Sequence, residues 1–137
     1  MAHTFSTTSL ERLEGVHPAL ADLCFALLYH VDILIVYGKR TEAQQQILVQ
    51  QGLSKTMNSK HLIQPDGFCH AVDVAPYPLD WDNSKRFYWM AGMAKALAPQ
   101  YLPDDMYLRW GGNWDNDNDL DDQTFMDLVH FELRRKP

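Results

Sequence analysis

The chain has 137 residues, 46% of them hydrophobic, and a net charge of -6. This fits one domain, residues 1–137, able to bury roughly two-thirds of its unfolded surface. The acidic balance excludes a nucleic-acid binder, which needs a basic face to displace counterions, and offers nothing to an anionic membrane. Two cysteines, Cys24 and Cys69, exclude a disulfide framework.

The first residues, Met1-Ala2-His3-Thr4-Phe5-Ser6, lack the basic and apolar regions of a signal peptide, so the chain is expected to be made in a cytoplasm. Ser9 is read as the cap of a short helix through Glu14, and Pro18 opens a helix to about His30 with the apolar stripe Leu20, Leu23, Cys24, Leu27 and Leu28. The apolar run from Leu23 to Tyr37 is interrupted by His30 and Asp32 and is too short to span a membrane. Its β-branched end, Ile33 to Tyr37, reads as a central strand closed by Gly38.

Thr41 caps the next helix, with Gly52 past its end, which leaves Arg40 at a strand-to-helix junction, a common place for sites. Leu53 to Gly67 reads as an irregular loop carrying His61. In the strand Phe68 to Ala75, residues 69, 71 and 73 share one face and 70 and 72 the other, so His70 and Asp73 point apart.

Asn83 to Ala98 is a helix bounded by Pro99, with Phe87, Met90, Ala91, Ala94 and Leu97 as core. Met106 to Trp110 is a strand, turned by Gly111-Gly112 into the acidic loop Asp115 to Asp122. Asp115, Asp117 and Asp119 open like a calcium loop. Leu120 stands where the loop needs glycine and Met126 where it needs glutamate, which favours a solvated acidic loop over a calcium site. The order of elements predicts an α+β domain with a small mixed or antiparallel sheet and helices packed on one side.

The last strand, Met126 to Leu133, carries Asp127, His130 and Glu132 in an apolar run. Burying such groups is costly unless they are paired or bind a metal, so the strand suggests a zinc site on the sheet. Catalytic zinc takes three protein ligands. The others are sought in Ser59-Lys60-His61 and Cys69-His70-Ala71-Val72-Asp73, which offer two histidines, a thiol and a carboxylate.

Ser59-x-His61, Ala71-x-Asp73 and Asp127-x-x-His130-x-Glu132 resemble the zinc D-Ala-D-Ala carboxypeptidase and L-alanyl-D-glutamate peptidase superfamily. The resemblance extends over Val16-His17-Pro18, Gly38-x-Arg40-Thr41-x-x-x-Gln45, Ser54-Lys55-Thr56 and Arg109-Trp110-Gly111-Gly112-x-Trp114. Overall it is most like phage L-alanyl-D-glutamate endolysins. It implies zinc held by His61, Asp73 and His130, with Asp127 as general base and Glu132 as a supporting acid. It also implies that Arg40 stabilises the scissile carbonyl oxygen or holds a substrate carboxylate, and that Ser59 bonds substrate or a ligand.

The family pattern Ser-x-His-x-x-Gly-x-Ala-x-Asp is stretched here: His61 and Asp73 lie 73 − 61 = 12 positions apart, and Cys69 replaces the glycine. An insertion around Gln64-Pro65-Asp66-Gly67 accounts for this at small entropic cost. His70 or Cys69 thus stands as an alternative to His61, with strand alternation favouring His61.

The resemblance further implies a zinc-dependent endopeptidase cutting the L-Ala-D-Glu bond of peptidoglycan stem peptides. Such an enzyme is a monomer without stable membrane association that reaches the wall once the membrane is permeabilised. The alternatives are a D-Ala-D-Ala carboxypeptidase or dipeptidase, and a non-catalytic wall-peptide binding module on the same fold.

Overall fold

Ser6, not Ser9, starts the first helix: its hydroxyl accepts the Ser9 N–H at 3.1 Å, and α1 runs Thr7–Leu13. Ser9 instead lies buried on the inner face of α1, where its hydroxyl accepts the backbone N–H of Ile35 at 3.1 Å. A polar side chain thus ties helix to strand at a position that resembled a cap. The computed structural model describes residues 3–123 and 126–137.

Helix α2 covers Pro18–His30, with Pro18 in its first turn and the expected stripe Leu20, Leu23, Cys24, Leu27 and Leu28 buried. Strand β1 (Ile33–Tyr37) precedes α3 (Glu42–Gln50). Thr41 and Gln44 form a reciprocal capping box that fixes the α3 N-terminus immediately after Arg40. Strand β2 is Ala71–Pro76, shorter at its start than the expected run from Phe68.

Helix α4 spans Ser84–Tyr101 and continues past Pro99. A proline there removes a single intrahelical bond, and the apolar stripe ending in Ala98 and Leu102 keeps the last turn packed. Phe87, Met90, Ala91 and Ala94 are buried as expected, while Leu97 is half-buried against the core. Strands β3 (Met106–Gly111) and β4 (Asp127–Arg135) complete the fold.

The four strands form one antiparallel sheet in the order β1-β2-β4-β3. β1 is therefore an edge strand, not a central one. Its apolar character comes from α1, which packs along it, and from alternate burial of Ile33 and Ile35. The centre belongs to β2 and β4, which carry Asp73 and His130. Val72, Val74, Phe131 and Leu133 face α2 and α4, forming the core. Cross-strand partners share a face, so Asp73, His130, Glu132 and Arg109 all lie on the opposite side. No helix among the described residues is long and apolar enough to cross a membrane.

Gly38, just after β1, lets α1 approach: a Cβ there would sit 1.9 Å from the Arg12 carbonyl oxygen. Gly38→Ala is expected to destabilise the fold by about 1–3 kcal/mol, the usual cost of overpacking. Urea denaturation measures this, and an unchanged midpoint would mean that α1 moves away freely.

Candidate metal centre

His61 sits on the irregular loop but is held firmly. The Arg40 N–H donates to its carbonyl at 2.8 Å, and its Nδ1 lies 2.7 Å from the Gly38 carbonyl oxygen. A carbonyl only accepts, so Nδ1 carries the proton and Nε2 is left with its lone pair. That lone pair points at Asp73 Oδ1, 3.1 Å away. Two lone pairs at this distance repel unless a cation lies between them.

His130 approaches the same oxygen from β4, with Nδ1 3.2 Å from Asp73 Oδ1. Its other nitrogen, Nε2, donates to Glu132 Oε1 at 2.8 Å. A carboxylate on the outer nitrogen of a histidine fixes ring orientation and raises basicity, as at metal centres generally. His61, Asp73 and His130 bring their donor atoms within 4.8 Å of one another. Two imidazoles and one carboxylate, largely buried, fit a borderline cation such as zinc.

The electrostatics are consistent with a site arranged around positive charge. Burial pushes the Asp73 carboxyl up, but the adjoining His130 and His61 imidazoles outweigh it and hold the group well below the usual carboxylate range. Burial pushes His130 down, yet Asp73 and Glu132 raise it to about 9. A histidine raised in this way favours the protonated form at neutral pH, and a metal held there would have to displace that proton. Glu132, buried but bonded to His130 and flanked by Arg109 and Arg134, falls to about 2.

Asp127 is three residues from His130, an odd spacing that regular alternation puts on opposite faces. A register shift removes the conflict. Trp110 pairs with Phe131, but the next residue, Gly111, pairs with Asp127, so β4 carries extra residues at that point. Two glycines and a tryptophan support the shift. A Cβ on Gly111 would meet the Asp127 carbonyl oxygen at 2.1 Å, and one on Gly112 would meet the Trp110 ring at 2.3 Å. The Trp110 indole N–H donates to the Leu128 carbonyl at 2.8 Å, satisfying the displaced backbone. Burial raises the Asp127 pKa, and the neighbouring Asp73 charge raises it further against the pull of His130, His61 and Arg40.

These groups open into a cleft of about 720 Å³ lined by Arg40, Ser59, His61, Asp73, Asp127 and His130 among others. The Arg40 guanidinium lies over the Tyr37 ring, 4.6 Å from its centroid, and donates to Gln45 Oε1 at 2.7 Å. The fully buried Gln45 in turn donates to Ser54 Oγ and the Thr56 carbonyl, joining Arg40 to the opposite lip. Ser59 is half-buried, and its Oγ accepts the His61 N–H at 3.2 Å.

Sequence reasoning did not single out Arg109, Arg134, Lys55 and Lys60, which also line the cleft. Arg109 was within reach, since it stands directly opposite Glu132 on the same sheet face. Trp114 was noticed only as part of a motif. It carries Arg109 over its ring at 5.1 Å and lies 5.4 Å from the His130 ring.

The alternatives to His61 lie elsewhere. Cys69 is fully buried, its thiol donates to the Ala71 carbonyl, and burial pushes its pKa up to about 11. His70 points away from Asp73, as alternation predicted, and bonds Asp66 Oδ2 at 2.7 Å. With His17 it forms a second convergent group around Asp66. There the Nδ1 of His17 accepts the Ala19 N–H at 3.1 Å, capping α2. The proton of neutral His17 therefore sits on Nε2, the atom facing Asp66, which suits a hydrogen-bond donor and not a ligand. In the acidic loop Asp115, Asp117 and Asp122 converge, all exposed, while Asp119 accepts the Asp121 N–H.

No curated protein sequence matches the chain. The crystal structure of the Serratia marcescens L-Ala D-Glu endopeptidase ChiX is similar, with 28% sequence identity and a TM-score of 0.74 over 96% of this chain and 91% of that one. Residues 1–134 match the family model described as phage L-alanyl-D-glutamate peptidase. Matched over nearly its whole length, the chain belongs to the phage L-alanyl-D-glutamate peptidase family.

Proposed function

We propose that residues 1–137 form one zinc-dependent endopeptidase domain, acting as a monomer, that hydrolyses the L-Ala-D-Glu bond of peptidoglycan stem peptides. The observation carrying this reading is the shared oxygen of Asp73, approached by His61 Nε2 at 3.1 Å and His130 Nδ1 at 3.2 Å beside the raised carboxyl of Asp127. His61, Asp73 and His130 are the ligands in this reading. Zinc bound there supplies a Lewis acid that lowers the pKa of a water to near neutrality.

Asp127 accepts the proton of the attacking water at its carboxylate and passes it to the leaving amine, for which a carboxyl raised by burial is suited. Arg40, fixed by the Tyr37 ring and Gln45, offers its remaining N–H groups to the scissile carbonyl oxygen or to the D-Glu carboxylate. Ser59 bonds the substrate at the cleft edge. Glu132 keeps the His130 ring oriented through Nε2. The chain reaches its substrate once the cytoplasmic membrane is permeabilised.

Metal analysis separates ligands from base. The purified protein should hold one zinc and lose activity on chelation. His61→Ala, Asp73→Ala and His130→Ala should each lose zinc. Asp127→Ala should keep zinc while kcat falls about 10²-fold or more. His70→Ala should keep both. Zinc absent from His70→Ala but retained, with activity, in His61→Ala would redraw the ligand set around Cys69-His70.

The bond cut is read by mass spectrometry of digested sacculi, which should release stem peptides beginning at D-Glu and leave L-Ala on the glycan. Free D-alanine as the main product would make the enzyme a carboxypeptidase. Intact zinc without any cleavage would leave a wall-peptide binding module.

A further inference from the structure

The catalytic cleft does not end at the metal centre. A second groove of about 540 Å³, lined by Lys60, Pro65, Asp66, His70, Arg134 and Arg135 among others, begins where the cleft stops. Lys60 and Arg134 line both. Lys60 precedes His61, and Arg134 lies on the sheet face that carries Glu132. The two hollows therefore form one track, with these side chains at the join.

The far wall of the groove is a tight turn held in place. Gln64 N–H donates to the Phe68 carbonyl and Gly67 N–H to the Gln64 carbonyl, both at 2.9 Å, with Gly67 at φ 88°. Asp66 is bound by His70 at 2.7 Å and approached by His17 at 3.8 Å, and its other oxygen accepts the Phe68 N–H. The Asp66 charge is thereby engaged within the turn and held below the usual carboxylate range. Across the groove Arg134 pairs with Glu132, which lies on the cleft side. Arg135 reaches Asp105 at 2.7 Å, but with side chains 76% and 62% exposed this pair is screened and readily exchanged. The Lys60 ammonium contacts the neutral Gln64 at 3.5 Å. In a chain of net charge -6 this track is locally cationic.

We propose that this groove is a second substrate subsite, which binds a carboxylate borne by the part of the stem peptide that follows D-Glu. The inference rests on the peptidase reading above and assigns a partner to charges that the cleavage step does not use. Lys60 and Arg135 contact the carboxylate, and the turn at Gln64 to Gly67 bounds the chain on its outer side. Binding there holds the substrate across the metal centre without touching the reacting atoms, so it acts on KM and not on kcat.

The test compares two soluble substrates: a muramyl dipeptide ending at D-Glu, and a muramyl tetrapeptide ending in the D-alanine carboxylate. Wild-type enzyme should cleave both, with the lower KM on the tetrapeptide. Arg135→Gln removes a positive charge and, separately, Pro65→Glu places a negative one on the opposite exposed rim, both outside the catalytic cleft. Each should raise KM for the tetrapeptide about fivefold, the scale of a partly exposed charge contact. Each should leave zinc content, melting temperature and dipeptide kinetics unchanged. Equal KM values for the two substrates in wild type, no change in either variant, or parallel losses on both substrates would each overturn the subsite. Failure of wild type to cleave either substrate at the L-Ala-D-Glu bond would instead overturn the peptidase reading.

Discussion

One carboxylate oxygen, Oδ1 of Asp73, stands between two imidazoles on the open face of the sheet, and the surrounding structure is arranged to keep it there. Asp73 lies on an inner strand and is paired directly with His130, so sheet hydrogen bonding sets that distance. His61 comes from a loop and needs separate anchoring. The Gly38 carbonyl supplies it by fixing the tautomer, and the Arg40 N–H supplies it at the backbone. Gly38 thereby has two roles, since its lack of a Cβ also admits α1.

The sheet separates stability from chemistry by face. One side buries Val72, Val74, Phe131 and Leu133 under α2 and α4, and provides the hydrophobic stabilisation. The other side can then hold Asp73, His130, Glu132 and Arg109 close together, each with a partner, without disturbing the core. Such networks are costly when half satisfied, and here Asp73 faces two imidazoles while Glu132 faces one imidazole and two guanidinium groups. The register shift beside Trp110 and Gly111 is the one departure from regular pairing on β4, and it is what brings Asp127 to the cleft.

Much of this was legible in the sequence where local chemistry decides the outcome. Period-two alternation separated His70 from Asp73, and the helix signals at Pro18 and Thr41 fixed two elements. Ser9 shows the limit of capping rules: two serines three residues apart offer the same local signal, and only packing against Ile35 assigns them. The position of β1 at the sheet edge was not legible, because its apolarity answers to α1, a contact that the strand pattern does not encode. The reach of Asp127 was suggested by motif resemblance alone, since alternation argues against it. Its physical reason required the cross-strand register and the glycines opposite. The groove behind Lys60 was invisible for a related reason, being built from a turn and a strand end far apart in the chain.

The central claim is the identity of the three ligands, and locating the metal tests it most directly. Anomalous diffraction at the zinc edge from crystals of the zinc-loaded protein should give one strong peak between His61 Nε2, Asp73 Oδ1 and His130 Nδ1, about 2.0–2.2 Å from each. A peak beside His17, Asp66 and His70, or one within bonding distance of the Cys69 sulfur, would contradict the account.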